Sequence, residues 1–251
     1  KMSPIFPSGC EDILRRELRS MDKNHRKNAF EALKLTSIAW PETGCLHIDE
    51  LIREEDVDLR RKGSKILRNI AAKGGPSGWD LIGWSLEDED AQVRRNAAQC
   101  LVTLTNSEPR IALILVEHAL NDDDTNVRNS VIRAMKKLDM QSPRVTDMIL
   151  RGARSRDLNL RTACVEQLSI ILTGDRLRES AAELLRQETN PKLRKRLTAL
   201  SIDIELDGSE SEKNRFLAPV EKINDDEDKE LSMQIKQDQP KGEYDKQKAS
   251  R

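Results

Sequence analysis

Few residues of this 251-residue chain stand where they could do covalent chemistry. His25, His47 and His118 lie far apart, and none has a neighbouring set of His, Cys, Asp or Glu at metal-ligand spacing. Cys10, Cys45, Cys100 and Cys164 include no close pair, so no zinc or redox motif follows. A Gly-rich phosphate loop and a nucleophile elbow are also missing. The expectation is therefore no catalytic residue, no metal and no cofactor. What recurs instead is positive charge at fixed phase: Lys27 and Lys34, then Arg61, Lys65 and Arg68, then Arg95, then Arg133 and Lys136. These lie one, five or eight residues after a repeated Arg, where four copies place eight cations against one anion, Glu31. Such a stripe would attract an acidic peptide or a phosphate backbone. The same residue types also fill merely solvated helix faces, and charge alone does not separate the two readings.

The elements that position this stripe are repeats. Arg26, Arg60, Arg94, Arg128, Arg161 and Arg194 fall in one column, with steps of 34, 34, 34, 33 and 33 residues. Four residues before each stand Asp22, Asp56, Asp90, Asp124, Asp157 and Asn190. A constant period with matching residues at matching phases predicts a stacked array. Apolar residues one before, three after, seven after and ten after the Arg (Val93, Ala97, Leu101 and Leu104 in the third copy) are spaced 4, 4 and 3, which is one face of an α-helix. The Asp column falls where that helix begins. There a carboxylate can accept from unpaired first-turn N–H groups and oppose the helix dipole, contributing about 1 kcal/mol per helix.

A shorter apolar stripe precedes it in each copy and predicts a first helix over 11–21, 46–53, 79–87, 110–120, 144–153 and 176–187. Pro41 and Gly44, Gly74-Gly75-Pro76, Pro109, Pro143 and Gly174 read as breaks between copies. The fold class is all-α, a superhelix of about six helical hairpins over residues 1–206. Trp40, Trp79 and Trp84 are expected in packing or turns around the second and third copies. An exposed Trp there would mark a second contact surface.

Composition agrees with short amphipathic helices: 35% of residues are charged and 3% aromatic. The formal net charge of -1 excludes the strongly basic balance of a generic nucleic-acid binder. Cys100 and Cys164 fall at core positions, which suits reduced thiols and a cytoplasmic protein. There is no apolar run of spanning length and no charged-then-apolar leader. Residues 207–251 hold 12 acidic and 9 basic side chains and few large apolar ones, and read as a mostly disordered acidic tail. Two roles for it are expected. Phe216, Leu217, Val220 and Ile223 could cover the open end of the last repeat, and the run Asp225–Asp228 could fold back onto the cationic stripe.

Asp90 followed by Val93-Arg94-x-x-Ala97-Ala98, with variants around Arg60, Arg128 and Arg161, resembles the HEAT repeat in the short form of bacterial phycobilisome-lyase-like proteins. The resemblance covers about residues 11 to 206, and departs from pattern at the ends, through His25 in the first copy and Asn190-Pro191 and Ser201 in the sixth. It implies a HEAT/armadillo-like solenoid with first helices on the convex side, second helices lining a concave groove, and the Asp and Arg columns bonded between adjacent repeats. On that geometry Lys27, Lys34, Arg61, Lys65, Arg68, Arg95, Arg133 and Lys136 become concave contact residues. The function expected is a monomeric, non-catalytic scaffold that binds an acidic segment of another protein, with neither nucleic acid nor membrane as partner.

The alternative is an enzyme of similar architecture. HEAT-like alkylpurine DNA glycosylases use a Trp and an Asp one helical turn apart. Here Trp79 is followed four residues later by Gly83, and Trp84 by Asp88 near a helix end. Bilin lyase activity is a further alternative by repeat similarity, with no residue to carry it. Glu117-His118 reverses the His-Glu order of the HEAT-repeat diiron hydroxylases and implies no metal site.

Overall fold

The computed structural model describes residues 9–202, and every regular element among them is a helix. Six hairpins follow in order. They are α1 (Cys10–Leu18) with α2 (Lys23–Ala39), α3 (Pro41–Ile52) with α4 (Val57–Ile70), and α5 (Gly75–Leu86) with the pair α6 (Ala91–Ala98) and α7 (Leu101–Ser107). Then come α8 (Pro109–Ala119) with α9 (Thr125–Met135), α10 (Pro143–Gly152) with α11 (Leu158–Ile171), and α12 (Gly174–Gln187) with α13 (Pro191–Ser201). Second helices pack on second helices, α2 on α4, α4 on α6 and α9 on α11, while α3 packs on α5 in the first-helix layer. Residues 1–8 and 203–251, the latter with both roles expected of the tail, lie outside the described residues.

Local chemistry accounts for the starts of the second helices. The side chain of Asp22 accepts from the N–H groups of Asn24 and His25, Asp90 from Gln92 and Val93, Asp124 from Asn126 and Val127, and Asn190 from Lys192 and Leu193. Asp56 and Asp157 accept one such bond each. The column seven residues after the reference Arg forms the spine of the core: Leu33, Leu67, Leu101, Met135 and Leu168 are each 0% exposed. Burying one such side chain stabilises by about 1.5–3 kcal/mol, so the hairpins are held chiefly by their neighbours.

Three details depart from expectation. Gly44 is not a break between repeats; it lies inside α3, where an added Cβ would meet the Cα of Ser37 at 2.6 Å and keep α3 off α2. The second helix of the third repeat is interrupted at Gln99–Cys100, where the Cys100 N–H bonds to the carbonyl of Ala97 at 2.9 Å while the thiol turns to that of Asn96 at 3.7 Å. A tightened turn of this kind shortens α6 without redirecting the apolar stripe, since Leu101 and Leu104 remain fully buried. Trp84 is not a packing residue. It is half-exposed, whereas Trp79 packs partly buried on the core and Trp40 sits in the turn between α2 and α3.

Candidate functional site: a cationic groove between the first two second helices

The ladder decides which cations are available, and its register differs from the one the resemblance implied. Each column Arg first closes its own hairpin: Arg60, Arg94, Arg128 and Arg161 donate through Nη1 to the carbonyls five and six residues upstream, at 2.7–3.1 Å. Its remaining donors then reach the next repeat. Arg60 donates to Asp88 at 3.0 Å, Arg94 to Asp122 at 2.8 Å and Arg161 to Glu188 at 2.9 Å, all two residues before the capping column. Only Arg128 meets a capping residue, Asp157, at 2.8 Å. The turn before Asp157 offers Ser155 at the place where Arg60, Arg94 and Arg161 find Asp88, Asp122 and Glu188.

Two of the capping carboxylates are instead engaged by the residue after the column. Arg61 holds Asp90 through Nε at 3.0 Å and Nη2 at 2.7 Å, and Arg95 holds Asp124 at 3.0 and 2.6 Å. The Arg61 fork, added to two backbone N–H bonds, keeps the Asp90 carboxyl down at about 2, well below the usual carboxylate range. Arg61 and Arg95 therefore act as architecture between repeats. Arg133 donates to Ser130 at 3.1 Å, and Lys136 lies 3.6 Å from Glu166 of the following repeat.

The other expected contact residues come together. Lys27 and Lys34 on α2 and Lys65 and Arg68 on α4 line one groove of about 600 Å³, with Phe30 and Ile66 supplying apolar lining. Lys23, Arg26 and Lys62 complete the wall, so seven cations face the single anion Glu31. Lys34 lies 3.4 Å from that Glu31, and Arg26 is tied to the Ser20 carbonyl at 3.2 Å. Lys23, Lys27, Lys65 and Arg68 make no salt bridge with a described residue, and Lys62 rests 5.4 Å from the centroid of Phe30. Lys62 was not among the expected residues because it stands two after the column Arg, a phase that faces the preceding repeat. There Asn96 bonds to the Arg61 carbonyl and Ser64 hydroxyl, and Lys62 leans over the first repeat's phenyl ring. Neither position carries a signal in sequence: over the first five repeats the column of Lys62 reads Asn28, Lys62, Asn96, Ser130 and Ala163, and Lys23 lies in the first turn of α2.

The enzyme alternative can be placed on the same geometry. Asp88, one turn after Trp84, accepts from Arg60 through Oδ2 and from the Asp90 N–H through Oδ1, with its side chain 11% exposed. A base of that kind is already occupied by the ladder. Among the described residues no group of three His, Cys, Asp or Glu side chains is placed to hold a metal ion, and no helix is long and apolar enough to cross a membrane.

Stacked helical hairpins of this period define an α-solenoid. Its residues 45–136 match the sequence model of the family described as HEAT repeats. Among solved structures, a computationally designed armadillo repeat protein for modular peptide recognition is similar at 14% identity and a TM-score of 0.49, over 76% of this chain and 97% of that one. A designed armadillo repeat protein in complex with the peptide (KR)4 is similar at 13% identity and 0.48, over 77% and 98%. The complex of CpcE and CpcF of phycocyanin lyase from Nostoc sp. PCC7120 is similar at 17% identity and 0.33, over 80% and 97%. None of the curated proteins compared with the chain matches it.

Proposed function

We propose that this chain is a non-catalytic binding scaffold whose groove between α2 and α4 takes up an acidic segment of another protein. One observation carries the reading: seven cations surround a recess of about 600 Å³ that holds one carboxylate. Gathering like charges costs electrostatic energy in the free protein, and an anionic ligand relieves that cost. The partly exposed ring of Phe30 favours a polypeptide over a bare phosphate chain, because it offers contact area that only an apolar side chain uses. The side chains left available are Lys23, Lys27, Lys62, Lys65 and Arg68, with Arg61 and Arg95 holding the repeats behind them.

The test is a titration of a fluorescently labelled dodecapeptide of alternating Asp, Glu and Leu into the full chain and into a Lys65→Glu/Arg68→Glu variant. Both positions are exposed, so the fold is retained and helicity by circular dichroism is the control. The reversal should weaken binding at least tenfold, and raising the salt from about 50 to about 300 mM should weaken it further as screening shortens the reach of the charges. Duplex DNA binding more tightly than the peptide, or a reversed variant binding as well as the intact chain, would refute the proposal.

A further inference from the structure

The first-helix layer carries a second recess, of about 610 Å³, between α3 and α5, and its lining includes Glu42, Leu46, Asp49, Lys73, Asp80 and Trp84. The scaffold does not require it. Fourteen residues before the reference Arg, where this repeat has Leu46, the others among the first five have Asp12, Asp80, Ile114 and Asp147. Ten before it, where the third repeat has Trp84, the others have Arg16, Glu50, His118 and Arg151. Phases that are mostly polar elsewhere thus become apolar on two adjacent helices, and the two side chains meet in one recess. Leu46 is 61% and Trp84 50% exposed, so neither contributes to the core as a buried residue does. Large apolar side chains held together in water at one place on a repeat surface mark a contact surface.

The indole is also held in position. The Arg53 guanidinium lies 4.1 Å from its ring centroid, and Arg53 is fixed in turn by donating from Nε to Asp49 at 2.7 Å. That pair removes Asp49 and Arg53 from the charge balance of the recess. Glu42 and Asp80 remain; both are exposed, and neither makes a salt bridge with a described residue. Against them stands one lining cation, Lys73. The recess is therefore apolar with an acidic rim, opposite in sign to the groove between α2 and α4.

We propose that this recess is a second docking surface, for a basic segment of a partner protein that packs an apolar side chain on Leu46 and Trp84 and pairs a neighbouring Lys or Arg with Glu42 and Asp80. The experiment is selection of a displayed library of random dodecapeptides on the immobilised full chain. Peptides with Lys or Arg beside an aromatic or aliphatic residue should be enriched. They should lose at least tenfold in affinity on Trp84→Ala and, independently, on Glu42→Lys/Asp80→Lys, two exposed changes that keep the fold. The same peptides should bind the Lys65→Glu/Arg68→Glu variant unchanged, which separates this surface from the cationic groove. An enriched set without that signature, or one that binds the altered chains as tightly as the intact one, would overturn the proposal. A concentration-dependent dimer in sedimentation that Trp84→Ala abolishes would overturn it in favour of a second copy of this chain as the occupant.

Discussion

Removing the Arg94 guanidinium tests the ladder at its centre. Nη1 donates to the carbonyls of Asp88 at 2.8 Å and Glu89 at 3.0 Å, and Nε donates to Asp122 at 2.8 Å in the next repeat. The Arg94 side chain is 16% exposed and that of Asp122 9%, so water replaces these partners poorly. Hydrogen bonds to a charged donor contribute about 1.5–3 kcal/mol each, and breaking a buried pair costs about 3–5 kcal/mol. Asp122 still accepts from the Asp124 N–H at 2.7 Å, which keeps the cost of Arg94→Ala at the lower end, about 3 kcal/mol. Arg95→Ala is the matched control, one residue on and of equal charge. It loses a pair to Asp124 in which Arg95 is 36% exposed and holds no carbonyl, and should cost about 1 kcal/mol or less. Urea unfolding followed by circular dichroism reads both. Arg94→Lys should recover only part of the loss, because an ammonium cannot span two carbonyls and a carboxylate in one plane. Equal costs for Arg94→Ala and Arg95→Ala, or full recovery with Lys, would refute the reasoning.

Other expectations follow from single positions. His47 is 1% exposed, neither ring nitrogen has a hydrogen-bond partner among the described residues, and the same phase elsewhere holds Leu81, Leu115, Met148 and Ala181. Burial lowers its pKa in the folded state, so the unfolded chain binds the proton more readily and stability falls as the pH drops below the ordinary value of about 6.5. His47→Leu should therefore raise stability by about 1–2 kcal/mol at neutral pH and flatten that loss in denaturant titrations across pH 5–7. The Asp90 carboxyl is also shifted down, but by its partners rather than by burial. With its carboxyl held at about 2, its contribution is present above the usual carboxylate pKa and is lost as the pH falls from about 4 to about 2, and Asp90→Asn should make the acid limb of the stability curve shallower. Gly44→Ala should cost about 2 kcal/mol in thermal melts because the new Cβ meets the Ser37 backbone at 2.6 Å, whereas Gly83→Ala, with nothing nearer than Leu115 Cδ2 at 3.5 Å, should stabilise α5 by about 0.5–1 kcal/mol.

The sequence by itself determined what depends on near neighbours along the chain. The Asp column reaches N–H groups two or three residues ahead, and the apolar stripe follows from 3.6 residues per turn. Helix starts and the fully buried column through Leu33, Leu67 and Leu101 were therefore legible without coordinates. Packing between hairpins was not. Gly44 resembles a turn residue until Ser37 of the preceding helix is set against it, and Trp84 resembles a packing residue until the stacked helices leave its ring half-exposed. The cations show the division most plainly. In sequence Arg61, Lys65 and Arg68 are equivalent charges on one helix face, but only stacking brings Asp90, 29 residues downstream, within 2.7 Å of Arg61 and leaves Lys65 and Arg68 facing the groove with Phe30. An ion pair between repeats is set by rise and rotation from one hairpin to the next, and that offset is a property of the packed interface between them, which no stretch of sequence near either residue encodes.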